Sequence, residues 1–419
     1  MNERKQKTTI AIASLIIVLA LVLGISYAYF AAQGQSTEQS ITTSNMGIEF
    51  GDGTAIVNAS GISPLIREDA LPTQDSTGKV TTAGKAVTKK FTIENTGTEK
   101  MYIHISLEDM TLPTNLKRYD FMWSLYEVTD TTNNIEKNVS NGSFDGAGTS
   151  LMVAPYQVFE AGDEKTYNLY IWIEETHLDQ SIMMGQTFKA TIQAEGEVYY
   201  TSPESDFEVN SSGVLTAYNG TDENLVIIPS VVNSVTVTKI AGGFLDGINN
   251  IIIPNTVTEI GSNAFENMYN LTNIFIPNSV TSIGEYAFAS TSLKNISIPN
   301  SVTSIGEGAF MYTSINGIFI PNTIKNITAS LFMYNSSLKN IIIPNSVNSI
   351  GGNAFMTTSL EKMVIPNSVN SIGSNAFDDT PLTEVIIIGR SSIPSGFESG
   401  WNDNGYNGEV IGMEVIYKP

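Results

Sequence analysis

The chain of 419 residues contains no cysteine, only two histidines, and half as many basic as acidic residues, 21 Lys and Arg against 42 Asp and Glu. The missing cysteine excludes disulfides, thiolate metal sites and a cysteine nucleophile. With His104 and His177 the only imidazoles, no helix can carry the two-histidine zinc motif. A net charge of −21, with no cluster of Lys or Arg, leaves nothing to neutralise phosphates, so no nucleic acid is expected as a partner. No residue constellation suggests a catalytic centre, a metal site or a cofactor; none is expected, and the chain reads as a non-enzyme.

At roughly 100 to 200 residues per domain, the length suggests two or three domains, each able to bury a core. The first landmark is an uncharged run, IAIASLIIVLALVLGISYAYF at 10–30, behind Arg4, Lys5 and Lys7. Basic residues ahead of an apolar stretch of this length mark an export signal or a membrane-spanning anchor helix. Ser26-Tyr27-Ala28 supplies a small-x-small cleavage site ending at Ala28. Everything downstream is then expected outside the cytoplasmic membrane, and cysteine-free export suits a single-membrane bacterium.

Residues 85–196 alternate at period two, the pattern of strands with one buried face. The inner rows are Phe91 and Ile93; Met101, Ile103, Ile105 and Leu107; Tyr167, Leu169, Ile171 and Ile173; and Phe188, Ala190, Ile192 and Ala194. Turn-rich stretches such as Glu94-Asn95-Thr96-Gly97 separate them, and no amphipathic helix competes, so an antiparallel β-sandwich is expected. His104 falls on the polar face of its strand and His177 in a loop, both read as surface histidines.

The head ending in Ser26-Tyr27-Ala28-Tyr29-Phe30, with FTIENTG at 91–97, AGDEKTYNLYIWIEE at 161–175 and MGQTFKATIQAEGEV at 184–198, resembles the TasA/camelysin group of exported bacterial proteins. That resemblance implies processing by a dedicated signal peptidase, a jelly-roll-like sandwich over 31–200, and self-association of the kind seen in biofilm-matrix fibre subunits. The camelysin name also implies a metallopeptidase as an alternative, which the residues do not support.

The C-terminal half is periodic. Pro254, Pro277, Pro299, Pro321, Pro344 and Pro366 recur every 22 or 23 residues, each 11 before a phenylalanine: Phe265, Phe288, Phe310, Phe332, Phe355 and Phe377. A period in the twenties with one strand per unit predicts a solenoid with a parallel sheet. Counting from each proline, positions −6, −3 and −1 are apolar, as in Leu293, Ile296 and Ile298, and should point inward with the residues at +3, +6 and +11. Asparagine at +1 (Asn255, Asn278, Asn300, Asn322, Asn345, Asn367) repeats at the coil spacing and should form an amide ladder. Glycine at +7 gives way once, to Thr328, where a positive φ would be strained.

This unit resembles the BspA type of leucine-rich repeat found in microbial surface proteins. The resemblance implies a repeat domain over 201–419, with an N-terminal cap at 205–244 and a C-terminal cap at 389–419 in which Trp401 and Tyr406 cover the last coil. Position −2 points outward from the strand, and six of its seven occupants are apolar: Ile252, Phe275, Phe319, Ile342, Val364 and Ile386, with Ser297 the exception. An exposed apolar stripe with a polar rim at −4 (Asn250, Asn273, Asn295, Asn340) is expected to bind a protein or cell-surface ligand. The reading is an extracellular or surface-bound adhesion protein: residues 1–30 as signal or membrane anchor, the sandwich next to the cell, and the repeats as recognition module. A structural fibre subunit decorated with repeats is the alternative.

Overall fold

The structure, a computed structural model, describes residues 27–30, 48–50 and 56–60 and, apart from short stretches, 64–401 and 414–418. It is almost entirely β: two antiparallel sheets packed face to face, followed by a parallel β-solenoid.

Among the described residues the first body has thirteen strands. They are β1 (Tyr27–Phe30), β2 (Ile48–Phe50), β3 (Ile56–Ser60), β4 (Pro64–Leu65), β5 (Thr73–Gln74), β6 (Val80–Thr82), β7 (Val87–Asn95), β8 (Met101–Thr111), β9 (Phe121–Asp130), β10 (Ile135–Ser143), β11 (Leu151–Phe159), β12 (Glu164–Glu174) and β13 (Thr187–Glu197). One sheet runs β1-β13-β8-β11, with β3 also on β13; the other runs β10-β9-β12-β7-β2, with β4 on β12. All four alternating rows named from the sequence meet in one core between these sheets. The row Phe121, Trp123 and Leu125 of β9 joins them there, while the alternate residues Met122 and Tyr126 point out of the sandwich into a second cluster, as period two requires.

The apolar head, expected as a helix through residue 30, ends differently. Tyr27–Phe30 is a strand, with Tyr27 opposite Glu197 and Ala28 opposite Gly196; a sheet edge satisfies its backbone there. A cut after Ala28 would leave only Tyr29 and Phe30 of that strand. Residues 1–26, with the proposed spanning segment, lie outside the described residues, as does His177. Among the described residues no helix is long and apolar enough to cross a membrane.

In the solenoid the sequence register holds. Every residue at −6, −3, −1, +3, +6 and +11 of the regular coils joins or packs against one continuous core. The phenylalanines form a column with ring centroids 5.4 to 5.9 Å apart from Phe265 to Phe377. Tyr218 and Phe244 extend it at one end and Trp401 closes it edge-on at the other; Tyr406 is outside the described residues.

Among the described residues, coils one, two and six carry the expected strand at −4 to −2, and all six regular coils carry one that the sequence did not mark. This short strand falls at +5 and +6, such as Ser282–Ile283 against Ser304–Ile305, because isoleucine at +6 can enter the core only if its backbone is extended beside the neighbouring coil. The glycine at +7 is there for close approach and not for a positive φ: a Cβ on Gly284 would lie 2.4 Å from Ser262 N. Thr328 keeps its place by donating its hydroxyl to Gly306 O at 2.9 Å. The left-handed residues are elsewhere. Two per coil, two before and two after each phenylalanine, have φ between 52° and 65°. They are mostly Asn, Ser, Gly, Thr and Asp, residue types that tolerate this region or bond locally in it.

Candidate functional site

The row at −2 is not exposed. The sandwich sits on it, and its two sheets divide the stripe between them. Ile252 and Phe275 pack with Tyr102, Tyr156 and Val158 of β8 and β11. Phe319 and Ile342 pack with Met122, Tyr126, Tyr170 and Trp172 of β9 and β12. Ile252 and Phe319 are each 4% exposed and Ile386 2%; Val364 is half-buried beside a crevice of about 60 Å³ that Ile342 and Arg67 also line. The expectation of a solvent-facing stripe is corrected: outward from the coil here means inward to the junction, since a contiguous apolar surface of this size is stable when covered.

Polar anchors flank the apolar contact. Arg67, 3% exposed, lays its guanidinium 3.9 Å from the centroid of the Phe319 ring. Its Nη1 donates to Ile320 O at 2.7 Å and to Asn322 Oδ1 at 3.2 Å. Glu174 Oε2 stands 3.8 Å from Arg67 Nε and accepts from Trp172 Nε1 at 2.7 Å. Burial pushes the arginine pKa down and the Glu174 pKa up, with their mutual attraction opposing both shifts. The asparagines at +1 dock as well. Asn278 donates to Asn138 O, Asn300 hydrogen-bonds Tyr126, and Asn322 reaches Glu68 at 3.4 Å. So in three successive coils the residue expected to build an amide ladder reaches to the sandwich instead. The amide ladder found lies at −4, where Asn273 Nδ2 donates to Asn250 Oδ1 at 2.9 Å.

Between the two apolar contacts lies a cleft of about 570 Å³. It opens where β10 and β11, edge strands of different sheets, face coils two to five of the array. Both edges are bulged, β10 at Asn138/Ser140 and β11 at Met152/Ala154 and Ala154/Gln157, which turns an edge away from further pairing. The −4 to −2 ladder is regular at Asn250–Ile252 with Asn273–Phe275 and again from Lys362–Ile365, while the described residues of the coils between, facing this mouth, form no strand there. His104 lines this cleft with its ring 4.4 Å from that of Tyr156. It was expected on the surface; burial at the junction instead pushes its pKa down to about 4. Among the described residues no group of three or more His, Asp or Glu is placed to hold a metal.

With the stripe covered, the free aromatic surface of the solenoid is the ridge around the phenylalanine column. Tyr286, Tyr312 and Tyr334 occupy left-handed positions at φ 53°, 55° and 64°. A bulky side chain is uncommon there and strained. Tyr312 is 48% exposed, and its ring stacks on Tyr334 at 4.3 Å. Tyr269 is exposed one coil beyond Tyr286, and Met311, Met333 and Met356 are half-buried alongside. From +7 to two past the phenylalanine, the six coils bear Glu266, Glu285, Glu307, Asp378 and Asp379 and no Lys or Arg. The Tyr286 hydroxyl donates to Glu307 Oε1 at 3.4 Å. Sequence reasoning passed over this ridge because a tyrosine at a variable position carries no period; three bulky residues at the two turn positions otherwise given to Asn, Ser, Gly, Thr or Asp were the available signal.

Residues 227–339 and 325–396 match the family model described as BspA type leucine-rich repeat region, in six copies. Solved structures similar to the chain include the following three. One is a leucine rich cell surface protein from Faecalibacterium prausnitzii A2-165, with 29% identity over 45% of this chain and 55% of that one and a TM-score of 0.39. Another is a leucine-rich repeat protein from Bacteroides ovatus, with 26% identity over 53% and 69% and a TM-score of 0.32. A third is the leucine-rich repeat protein of T. pallidum, with 22% identity over 38% and 89% and a TM-score of 0.31. The chain thus spans little more than half the length of the first of these. No curated protein matches the chain.

Proposed function

We propose that this is an exported bacterial surface protein that recognises a protein partner through the outer ridge of its repeats. Residues 1–30 direct export, with cleavage at Ala28 or retention as an anchor; 31–200 form the sandwich, akin to the TasA/camelysin group; 201–419 form the capped repeat array. The family match supports the recognition role, and the surface location extends to this chain the name of the Faecalibacterium relative. The observation that carries the reading is the stacked, solvent-facing Tyr312–Tyr334 pair held at strained backbone positions. Strain that packing does not require is retained where a side chain serves binding, and exposed aromatics with adaptable methionines are the residues that anchor protein interfaces. The acidic flank selects a basic partner surface. No catalytic step is assigned to either body.

The test compares the full chain with the Tyr312→Asn/Tyr334→Asn variant in binding to intact producing cells and their neighbours. A loss of at least tenfold, with the fold intact by circular dichroism, is expected. Equal binding by both proteins removes the ridge from recognition. Recovery of the native protein from the cytoplasmic fraction, with its N-terminus unprocessed and no membrane association, removes the export reading.

A further inference from the structure

Tyrosine rings meet in two very different settings in this molecule. Tyr126 and Tyr170 touch edge-on at 5.4 Å inside the junction, where they are 5% and 6% exposed. Tyr312 and Tyr334 lie face to face on the outer ridge, with centroids 4.3 Å apart and planes 11° from parallel. Tyr312 is 48% exposed and Tyr334 half-buried, so a small oxidant in solution reaches this pair and not the other. The backbone holds the open pair in register: Tyr312 N donates to Met333 O and Tyr334 N to Met356 O, each at 2.9 Å. Both residues share one turn position and one left-handed conformation, at φ 55° and 64°, so their side chains leave the coil in the same direction. The hydroxyls are hydrogen-bonded to each other, which makes the ring carbons next to them neighbours as well. Tyr286 and Tyr269 are placed differently. Tyr286 lies over Gly308, where a Cβ would come within 2.4 Å of its ring, and the counterpart of Tyr269 in the next coil is Ser292.

Phenols held in this way couple when they are oxidised. Each loses one electron and one proton to give a phenoxyl radical. The two radicals join through the carbons ortho to their oxygens, and the hydrogens on the joined carbons move to the oxygens. One hydrogen peroxide, turned over by a haem peroxidase, takes up the two hydrogens lost and leaves as two waters. Coupling requires both radicals side by side before either is quenched, and a stack already in contact supplies that proximity. We propose that Tyr312 and Tyr334 are an oxidative cross-linking site: exposed to peroxide and a peroxidase they join as dityrosine and staple coil three to coil four.

The staple falls where the array has use for one. The chain has no cysteine, so no disulfide can fasten one coil to the next. Coils of a solenoid are held by their neighbours alone. The described residues of coils three to five form no strand at −4 to −2, so this stretch lacks a ladder that coils one, two and six possess. A covalent bond between equivalent positions of successive coils restricts the opened chain as a disulfide would. The cross-link is read on the chain alone, so its presence or absence is independent of what the ridge binds.

The test treats the full chain, in a zwitterionic detergent and dilute enough to disfavour contact between molecules, with hydrogen peroxide and a haem peroxidase. The expected product stays monomeric on a denaturing gel, gains the blue fluorescence of dityrosine and is lighter by the two hydrogens lost. Its two tyrosine peptides stay joined after trypsin has cut at Lys325, which lies between them. Tyr312→Phe and Tyr334→Phe keep the ring and remove the phenol, and each should lower the fluorescence yield at least tenfold; Tyr269→Phe should leave it unchanged. Amides of coils three and four should exchange with solvent at least tenfold more slowly once the link is made. The proposal is overturned by the absence of dityrosine, by a link between other tyrosines or only between chains, or by oxygen gain at Met311 and Met333 without loss of hydrogen. Full yield from either Tyr312→Phe or Tyr334→Phe, or exchange unaltered by the link, overturns it equally.

Discussion

The sandwich and the solenoid bury similar aliphatic and aromatic side chains by opposite routes. In the sandwich, Leu107 of β8 lies opposite Ile192 of β13, 85 residues further along, and no strand can be placed without knowing its distant partner. In the solenoid, Ile251 lies opposite Ile274, one coil away, and the parallel pairings along the regular coils repeat that step. The second arrangement is a chain of nearest-neighbour contacts, the first a single cooperative body. The difference shows in the polar interior too. The sandwich closes on varied, individually fitted groups such as Asp120, Glu136 and Glu174, whereas the solenoid reuses one device. Thr291, Thr313, Thr358 and Thr380 each donate a hydroxyl to the carbonyl of the phenylalanine three residues earlier, and Asn335 does so with its amide in a fifth coil.

If the solenoid is a column of interchangeable layers, removing one ring should be costly. Phe310, fully buried between Phe288 and Phe332, should destabilise the array by about 3–5 kcal/mol on replacement with alanine. Chemical denaturation read through the solenoid would show it; an unchanged midpoint would take Phe310 out of the column.

The junction is where the two architectures meet, and Arg67 holds it. Arg67→Ala leaves Glu174 buried without its partner and removes the cover from Phe319, at a cost of about 3 kcal/mol. If docking and sandwich folding are separate events, unfolding of this variant should split into two transitions. A single unshifted transition would show that Arg67 contributes nothing to the coupling.

A third, smaller effect separates the bodies by pH. The His104 pKa is depressed to about 4 in the folded protein against an ordinary 6.5, so the unfolded chain binds more protons between those values. Stability contributed by neutral His104 is therefore present above pH 6.5 and is lost as pH falls toward 4. His104→Gln should flatten the dependence of the junction's thermal midpoint on pH in that window. A slope identical to that of the wild type would mean that His104 does not report on the junction.

The smallest effect has the opposite sign. Tyr312→Asn puts a residue suited to the left-handed region at φ 55°, so the solenoid should gain up to about 1 kcal/mol. A loss of stability instead would make the Tyr312–Tyr334 stack a structural element, and the ridge a poor candidate for recognition.

Legibility followed the same division. The inward set of the coils could be read outright because proline, isoleucine and phenylalanine recur at fixed offsets and each offset faces the same surroundings in every coil. Four sandwich strands were readable from alternation, but β9, β10 and β11 were not singled out. In β10 and β11, bulges break period two, and β9 is buried on both faces, with Phe121, Trp123 and Leu125 in the sandwich core and Met122 and Tyr126 at the junction, so no alternation survives in its sequence. The strand at +5 and +6 of each coil was missed because a polar residue followed by isoleucine, Ser-Ile in four of the six coils, is too short to register as alternation until a neighbouring coil supplies its partner. The glycine at +7 was noticed for the right reason of recurrence but assigned the wrong cause, since only coordinates show how near the next coil's backbone lies.

By itself the sequence determined the coil, its period, its core and its capped column of rings, because these depend on contacts between residues one repeat apart and are written out six times over. That the −2 row is a docking seat and no free stripe was decided only in three dimensions. Arg67 and Ile320 are 253 residues apart, and no local pattern in either stretch specifies the other. An apolar row looks the same in sequence whether a foreign partner or the chain's own sandwich covers it; what distinguishes the two is the packing of Tyr126, Trp172 and Tyr102 upon it.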